Sequence, residues 1–513
     1  MNNSQIYQLI QQLQQPEFYP HSVEVPIKVI QTHISVVFLT GDYAYKIKKP
    51  VDFGFLDFST LAKRQYFLEQ ELELNRGLSP EIYLEVLPIT VSGDRLSLNG
   101  TTEPIEYVLK MQQFPQDCLL INLFENNQLT EEHLKELAKV VADFHFKTAT
   151  NDYITKFGTV ETIKKSVDHN YELTERYIDI AQTQEQYQAT KDFTDSFFSA
   201  KKELFSTRQQ QGKIKDCHGD LHLKNICLWN NKIHLFDRIE FNEDFRFIDV
   251  ISEIAFTVMD LEARKRQDLS NLFLNNYLEY TGDWEGLNVL PLYLTRQAYV
   301  RAKVTSMLLD DPNISPQEKE KAIQTAKEYY QLAWEYTQPR QGCIILMSGL
   351  SGSGKTTVAQ YLAQRINAIH IRSDAVRKHL AEIPLTETGT EDLYSSQSTQ
   401  QTYNRLLELG EMLAFQGFKV ILDAKFDRIY WREKAIKWAQ TNQISLYILH
   451  CYAPLETLRD RLDQRQGDIS DATSSLLQQQ QAMTEPFNDT EQTFVISLDT
   501  SKNWQTQLNL ILT

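Results

Sequence analysis

Three polar side chains stand in the order H-x-D-x-x-x-x-N within CHGDLHLKN: His218, Asp220 and Asn225. A fourth, Asp237, ends the apolar run KIHLFD. Phosphoryl transfer needs a carboxylate to take the acceptor's hydroxyl proton. It also needs a second carboxylate and an amide oxygen to hold magnesium on the phosphates. Asp220, Asp237 and Asn225 supply those groups in that order. Farther along stands GLSGSGKTT, Gly349 to Thr357. Gly349, Gly354, Lys355 and Thr356 fit G-x-x-x-x-G-K-[ST]. In such a loop the backbone from Ser351 through Gly352, Ser353 and Gly354 to Thr357 wraps phosphates. Lys355 reaches the outer phosphate oxygens, and the Thr356 hydroxyl holds magnesium. Both stretches call for ATP and Mg2+, by different means.

The elements around the first stretch are legible. HISVVFL, a Thr40-Gly41-Asp42 turn and YAYKIKK read as a hairpin closed by Pro50. Lys46 and Lys48 are two apart, so they share a face of the second strand. A helix over about 59–78 follows, with apolar positions at helical spacing and Glu69, Glu71 and Glu73 along it. A strand lysine facing a helix glutamate is one way to hold an ATP phosphate. Either lysine and any of the three glutamates meets that description. Tyr107–Phe114 reads as a strand, and helices are expected at about 131–148 and 162–177.

With these residues in view, Val37 to about Leu261 resembles the aminoglycoside phosphotransferase family, protein-kinase relatives that phosphorylate hydroxyls of small molecules. HGDLHLKN looks like that family's HGDxxxxN loop, and FDRIEF like its magnesium-binding strand end. The resemblance implies Asp220 as general base and Asn225 and Asp237 as metal ligands. It gives Lys46 to the phosphates, Glu71 as its partner, His218 as a brace of the loop and Asp249 as a structural aspartate. The chain departs from protein kinases: only Gly41 stands before Lys46, and there is no D-F-G and no A-P-E.

The second stretch sits in a strand–helix alternation. CIILMSG is an apolar run, as a strand buried on both faces should be. AIHIRS, KVILDA, SLYILHCYA and TFVISLD follow, separated by helical patterns. About five strands of this kind form a parallel doubly wound sheet, with ligands beyond the strands' carboxyl ends. Asp374 and Asp423 lie at two such ends. KVILDA resembles a Walker B strand, which implies Asp423 as an organiser of magnesium. IRSDAVRK resembles the small P-loop kinases that include polynucleotide kinase, zeta toxin and chloramphenicol phosphotransferase. That likeness implies Asp374 as the base and Arg377 as a grip on substrate phosphate. LRDRLDQRQGDISDA resembles their lid, with Arg461 and Arg465 (and Arg459 nearby) closing over the transferring phosphate.

The whole chain bounds these readings. Its 513 residues exceed a single core. The expected division is a kinase-like domain over 1–338 and a P-loop domain over 339–513. The first would have a small lobe at about 20–112 and a helical large lobe at about 113–336. The fold class is therefore an α+β protein-kinase-like domain followed by an α/β P-loop domain. A net charge of -16 argues against nucleic-acid binding through bulk charge. Five scattered cysteines suit a reducing cytosol, and no apolar run is long enough for a membrane helix. A cytoplasmic protein without membrane association is expected.

The pairing of domains resembles a bacterial family of fused proteins. It implies a bifunctional kinase acting on hydroxyls of small molecules or a nucleotide-like acceptor. The alternatives are one active kinase with the other domain as an ATP-binding regulator, and 5′-hydroxyl polynucleotide kinase activity in the P-loop domain. The sequence is silent on acceptor and oligomeric state.

Overall fold

In a computed structural model, residues 3–512 are described apart from Phe55, Asp94, Asn313, residues 465–468 and Ala472. The chain forms two compact units. One comprises Met1–Glu136, Asp143–His169 and Phe198–Asp260, the other Leu137–Ala142, Asn170–Phe197 and Leu261–Thr513. Among the described residues, no helix is long and apolar enough to cross a membrane.

The first unit is built on an antiparallel sheet of β1 (Lys28–Gln31), β2 (Ser35–Leu39), β3 (Tyr43–Lys48), β4 (Tyr83–Ser92), β5 (Arg95–Leu98) and β6 (Pro104–Gln112). Their spatial order is β1-β2-β3-β6-β4-β5. Alternation decides which side chains go where. Tyr45 and Ile47 of β3 enter a core with Val36, Phe38, Ile89 and Val108. Lys46 and Lys48 fall on the opposite face, where Glu71 of the helix Leu61–Arg76 meets them. Thr60 starts that helix by accepting the Lys63 N–H.

Beyond the sheet, β7 (Ile214–Asp216) leads into the H-x-D loop. The hairpin of β8 (Ile226–Trp229) and β9 (Lys232–Leu235) follows it, and β10 (Phe247–Asp249) pairs back with β7. The KIHLFD strand ends at Leu235, two residues earlier than its apolar run suggests. Asp237 sits beyond it in a left-handed turn with φ of 62°.

The second unit carries a parallel sheet of β11 (Cys343–Ser348), β12 (Ile369–Arg372), β13 (Lys419–Asp423), β14 (Ser445–Tyr452) and β15 (Val495–Asp499). Their order is β12-β13-β11-β14-β15, which leaves β12 at an edge. The strands expected at 343–349, 368–373, 419–424, 445–453 and 493–499 are these five. The helices Gln267–Thr281, Leu290–Met307 and Pro316–Tyr336, assigned to the first domain on sequence, share this unit with the P-loop sheet. The reason is packing: Gln267–Thr281 lies on the helix Lys355–Ile366 and on β12. Ser315 and Glu318 form a capping box, with Pro316 in the first turn, and start the longest of these helices.

One buried ion pair ties the helix Leu61–Arg76 to the first sheet. Arg64, on the helix Leu61–Arg76, meets Glu106 of β6 at 2.8 Å, their side chains 1% and 0% exposed. Burial pushes the Glu106 carboxyl up despite that partner. Arg64→Ala would strand this carboxylate. The expected loss is about 3–5 kcal/mol in urea unfolding, with Arg64→Ala/Glu106→Gln recovering part of it.

Candidate functional site

The first site is a chain of charges. Lys46 Nζ lies 2.7 Å from Glu71 Oε1 and 2.7 Å from Asp237 Oδ1. Lys48 Nζ lies 2.8 Å from Glu71 Oε2 and also binds Glu240. One carboxylate therefore holds both lysines, and the turn 237–240 closes the chain at both ends. Burial alone would lower the Lys46 ammonium, but Asp237 and Glu71 outweigh it and raise it well above its ordinary value. Burial would raise Glu71, yet Lys46 and Lys48 hold it below the usual carboxylate range. Lys46 is the lysine beside Asp237, whose carboxylate is 46% exposed. Lys48 is 1% exposed and lies deeper. The two lysines that spacing leaves equivalent differ in depth: Lys46 faces the open side.

The loop around Asp220 is held from several sides. Asn225 Nδ2 donates to the Asp220 backbone oxygen and to Oδ2, both at 3.0 Å. This leaves the Asn225 amide oxygen as the atom suited to a cation. His222 Nε2 lies 3.4 Å from the same Oδ2. His218 donates from Nε2 to the Phe236 carbonyl at 2.9 Å, and its Nδ1 accepts the Asp220 N–H at 3.3 Å. Burial lowers it to about 4, so it is a neutral brace at physiological pH. Beneath the loop, Glu253 accepts the N–H groups of His218 at 2.8 Å and Gly219 at 3.2 Å. Asp237 donates its N–H to the Tyr83 hydroxyl at 2.9 Å. Asp249 is structural: it binds the buried Arg208 and accepts the Ile251 N–H. The β1–β2 turn, Thr32 to Ile34, contains no glycine and is tied by Thr32 Oγ1 to Ser35.

The second site gathers at the carboxyl ends of β11, β12 and β13. A Cβ on Gly349 would stand 2.2 Å from the Cys451 carbonyl oxygen, and one on Gly352 2.7 Å from that of Leu458. Only glycine fits at those points, and both adopt positive φ. Lys355 Nζ donates to the Leu350 carbonyl at 2.9 Å, folded over its own loop. Ser351 exchanges two hydrogen bonds with Gln480, N–H to Oε1 and Nε2 to Oγ, each at 3.1 Å. Thr356 and Thr357 lie in the first turn of the helix Lys355–Ile366. Asp423 pairs in register with Met347 of β11. Burial would raise it, but the His370 ring, 3.1 Å from Oδ2, and nearby cations hold it down.

Asp374 lies inside the first turn of the helix Ser373–Leu380, after the cap position, so it is not a capping residue. Burial raises its carboxyl, against Arg372 and a Ser470 hydrogen bond. Arg377 is buried and directed away from solvent. It donates to the Leu393 carbonyl at 3.0 Å and stacks on Tyr394. Arg461 donates to Thr500 Oγ1 at 3.0 Å and Thr500 O at 2.7 Å, with Gly352 O at 3.4 Å. It braces the phosphate loop from behind. Arg459 is exposed, and Arg465 lies outside the described residues. Lys425 pairs with Asp427 at 3.2 Å.

The metal-ligand candidates at both sites, Asn225 with Asp237 and Thr356 with Asp423, offer only oxygen donors. Carboxylate, amide carbonyl and hydroxyl oxygens suit a small hard cation such as magnesium.

Rv2004c, an uncharacterized protein of Mycobacterium tuberculosis (strain ATCC 25618 / H37Rv), is 30% identical over 462 residues, 89% of this chain and 90% of that protein. The chain belongs to its family. The AAA domain family AAA_33 matches residues 344–487, the part that carries the second site. Among solved structures, the GDP complex of aminoglycoside 2′-phosphotransferase-IIIa is 13% identical, covering 64% of this chain and 99% of that one at a TM-score of 0.38. The Mycobacterium tuberculosis APS kinase CysC, bound to AMPPNP and APS, is 20% identical, covering 34% of this chain and 97% of that one at a TM-score of 0.27.

Several site residues escape a reading by motif. Glu240 and Glu253 carry no motif letter, although Glu253 interrupts the otherwise apolar stretch VISEIAFTVM that opens the helix Val250–Ala263. His370 breaks the buried strand IHIR, and a polar residue at such a position is a signal in itself. Glu253 also makes a measurable prediction. Burial raises its folded-state value from 4.5 to about 7, against the hydrogen bonds that lower it. A carboxyl raised on folding contributes stability that is complete below the unfolded value and lost as pH rises through the folded one. Unfolding free energy should therefore fall between pH 4.5 and 7 by on the order of 3 kcal/mol from this group. Glu253→Gln should flatten that slope in denaturant titrations across pH.

Proposed function

We propose that the protein is a bifunctional ATP-dependent kinase, each module transferring the γ-phosphoryl group of ATP to a hydroxyl of a small-molecule or nucleotide-like acceptor. The observation that carries this reading is the Lys46–Glu71 pair beside Asp237, with Asp220 held by Asn225 on the adjoining loop. The P-loop with Lys355 and Asp423 supports the same chemistry in the second unit.

In the first module Lys46 holds phosphate oxygens, and Glu71 keeps its ammonium in place. Asp220 takes the acceptor's proton, with Oδ2 oriented by Asn225. In the second, the backbone of the P-loop and Lys355 hold the phosphates, and Asp374 takes the proton. Magnesium, held by Asn225 and Asp237 in one site and Thr356 and Asp423 in the other, would neutralise charge on the β- and γ-phosphate oxygens. Both sites work by positioning and charge. Cytoplasmic location belongs to this proposal, as ATP and reduced cysteines are at home there.

A second reading has its own support. Lys46 is engaged by Asp237, and the β1–β2 turn has no glycine to let backbone approach a phosphate. Both favour a first module that binds ATP and regulates the second. Nucleic-acid end phosphorylation draws support only from IRSDAVRK, against a net charge of -16.

Incubation of γ-labelled ATP with a small-molecule cell extract separates these readings. Asp220→Asn and Lys355→Ala should each remove a different labelled product, by about 100-fold or more. Loss of one common product from both variants points to sequential action or regulation. An unchanged pattern with Asp220→Asn rules out catalysis by the first module.

A further inference from the structure

The edge strand β12 is completed by side chains rather than by another strand. On one side it pairs with β13, His370 opposite Ile421 and Arg372 opposite Asp423. On the other side stands the helix Gln267–Thr281 of the same unit. Asn275 Oδ1 accepts the His370 N–H at 2.8 Å, and Asn275 Nδ2 donates to the Ala368 carbonyl at 3.0 Å. Asn271 Nδ2 donates to the same carbonyl at 2.9 Å and to Asn367 Oδ1 at 3.1 Å. Asn275 Nδ2 also donates to Asn271 Oδ1 at 3.0 Å. The geometry is that of a peptide group. Residues 368 and 370 turn their polar groups to the same side of a strand. Asparagines four apart lie on one face of a helix. The amide's orientation follows from its partners, because an N–H needs the oxygen and a carbonyl needs the nitrogen.

The end of the same helix is fastened as well. Glu279 lies 3.6 Å from Arg372, and its carbonyl is 2.7 Å from His379 Nε2. Gly282 ends the helix with φ of 67°, and a Cβ there would stand 2.9 Å from the His379 ring. Just past the helix, Glu285 pairs with Arg405.

His370 is the residue whose ring meets Asp423 Oδ2. Asn275 therefore fixes the backbone of the residue that aims this carboxylate. Resting on the assignment of Asp423 to magnesium above, we propose that Asn275 is a positioning residue of the P-loop kinase site, acting through His370 on the Asp423 carboxylate. The working P-loop kinase then begins at the helix Gln267–Thr281, well before the first strand of its own sheet. Residues that hold a metal's ligands from behind change metal affinity without touching the metal.

The test uses the full-length chain and a fluorescent ATP analogue, reading only the binding that Lys355→Ala abolishes. Magnesium is titrated, and its half-saturating concentration is recorded with thermal unfolding of each variant. Asn275→Ala should raise that concentration by about 10-fold and leave magnesium-free binding unchanged. Asn271→Ala removes the second bond to the Ala368 carbonyl but leaves the His370 N–H its acceptor, so its magnesium response should stay near wild type even where it unfolds earlier, which separates loss of positioning from loss of stability in the alanine variant of Asn275. In a His370→Ala background, Asn275→Ala should add nothing further. A wild-type magnesium response in Asn275→Ala with only a lower melting temperature overturns the proposal, as do additive effects of the two alanine changes. Absence of any magnesium response in the wild type instead removes the assignment of Asp423, and the proposal falls with it.

Discussion

A single buried carboxylate, Glu71, serves two ammonium groups, and the first site is arranged around that fact. Each oxygen of Glu71 takes one lysine. Removing charges from water is costly unless every one is matched in geometry. The match requires β3, the helix Leu61–Arg76 and the turn after β9 to keep fixed relations, because the two lysines, Glu71, and Asp237 with Glu240 come from these elements in turn. The outer lysine is left on the open side, where the proposed function puts the phosphates, while the inner one, bound to Glu240, keeps the glutamate from turning away. Rigidity at the inner pair and exchange at the outer pair are thus separate duties of similar residues.

The second site reaches the same end through backbone. Its phosphate loop is shaped by carbonyls that exclude any side chain at Gly349 and Gly352. Arg461 holds the loop's far side through Thr500. Here few charged side chains are needed, because helix N–H groups supply the positive field. Two folds thereby offer a phosphate, in the function proposed, a comparable positive field, one from paired side chains and one from peptide dipoles.

The H-x-D loop, three strands of the first sheet, all five of the second and the P-loop were legible because their physics is local. HGDLHLKN, GLSGSGKTT and alternating apolar runs each act over a few residues. What stayed hidden depends on distant segments. Lys46 and Lys48 share a face and a charge, and only burial in the folded sheet separates them. Arg377 has the spacing of a phosphate grip, yet folding turns it towards the Leu393 carbonyl and Tyr394. Asn271 and Asn275 look like ordinary helix-surface amides until β12 lies against them. The Pro and Gly of TQPRQG mark where helix gives way to strand, but packing joins the helices before it to the sheet after it.

The left-handed turn at Asp237 bears on the alphabet available at that position. A side chain with φ of 62° is tolerated best when it is short and polar, which favours aspartate and asparagine over longer residues. Glutamate carries the same charge but is poorly suited to that backbone, and asparagine suits the backbone without the charge. Aspartate alone answers to both demands. Drift at this position is constrained twice over, by conformation as well as by chemistry, and a designer who moved the carboxylate to a longer side chain would have to rebuild the turn first.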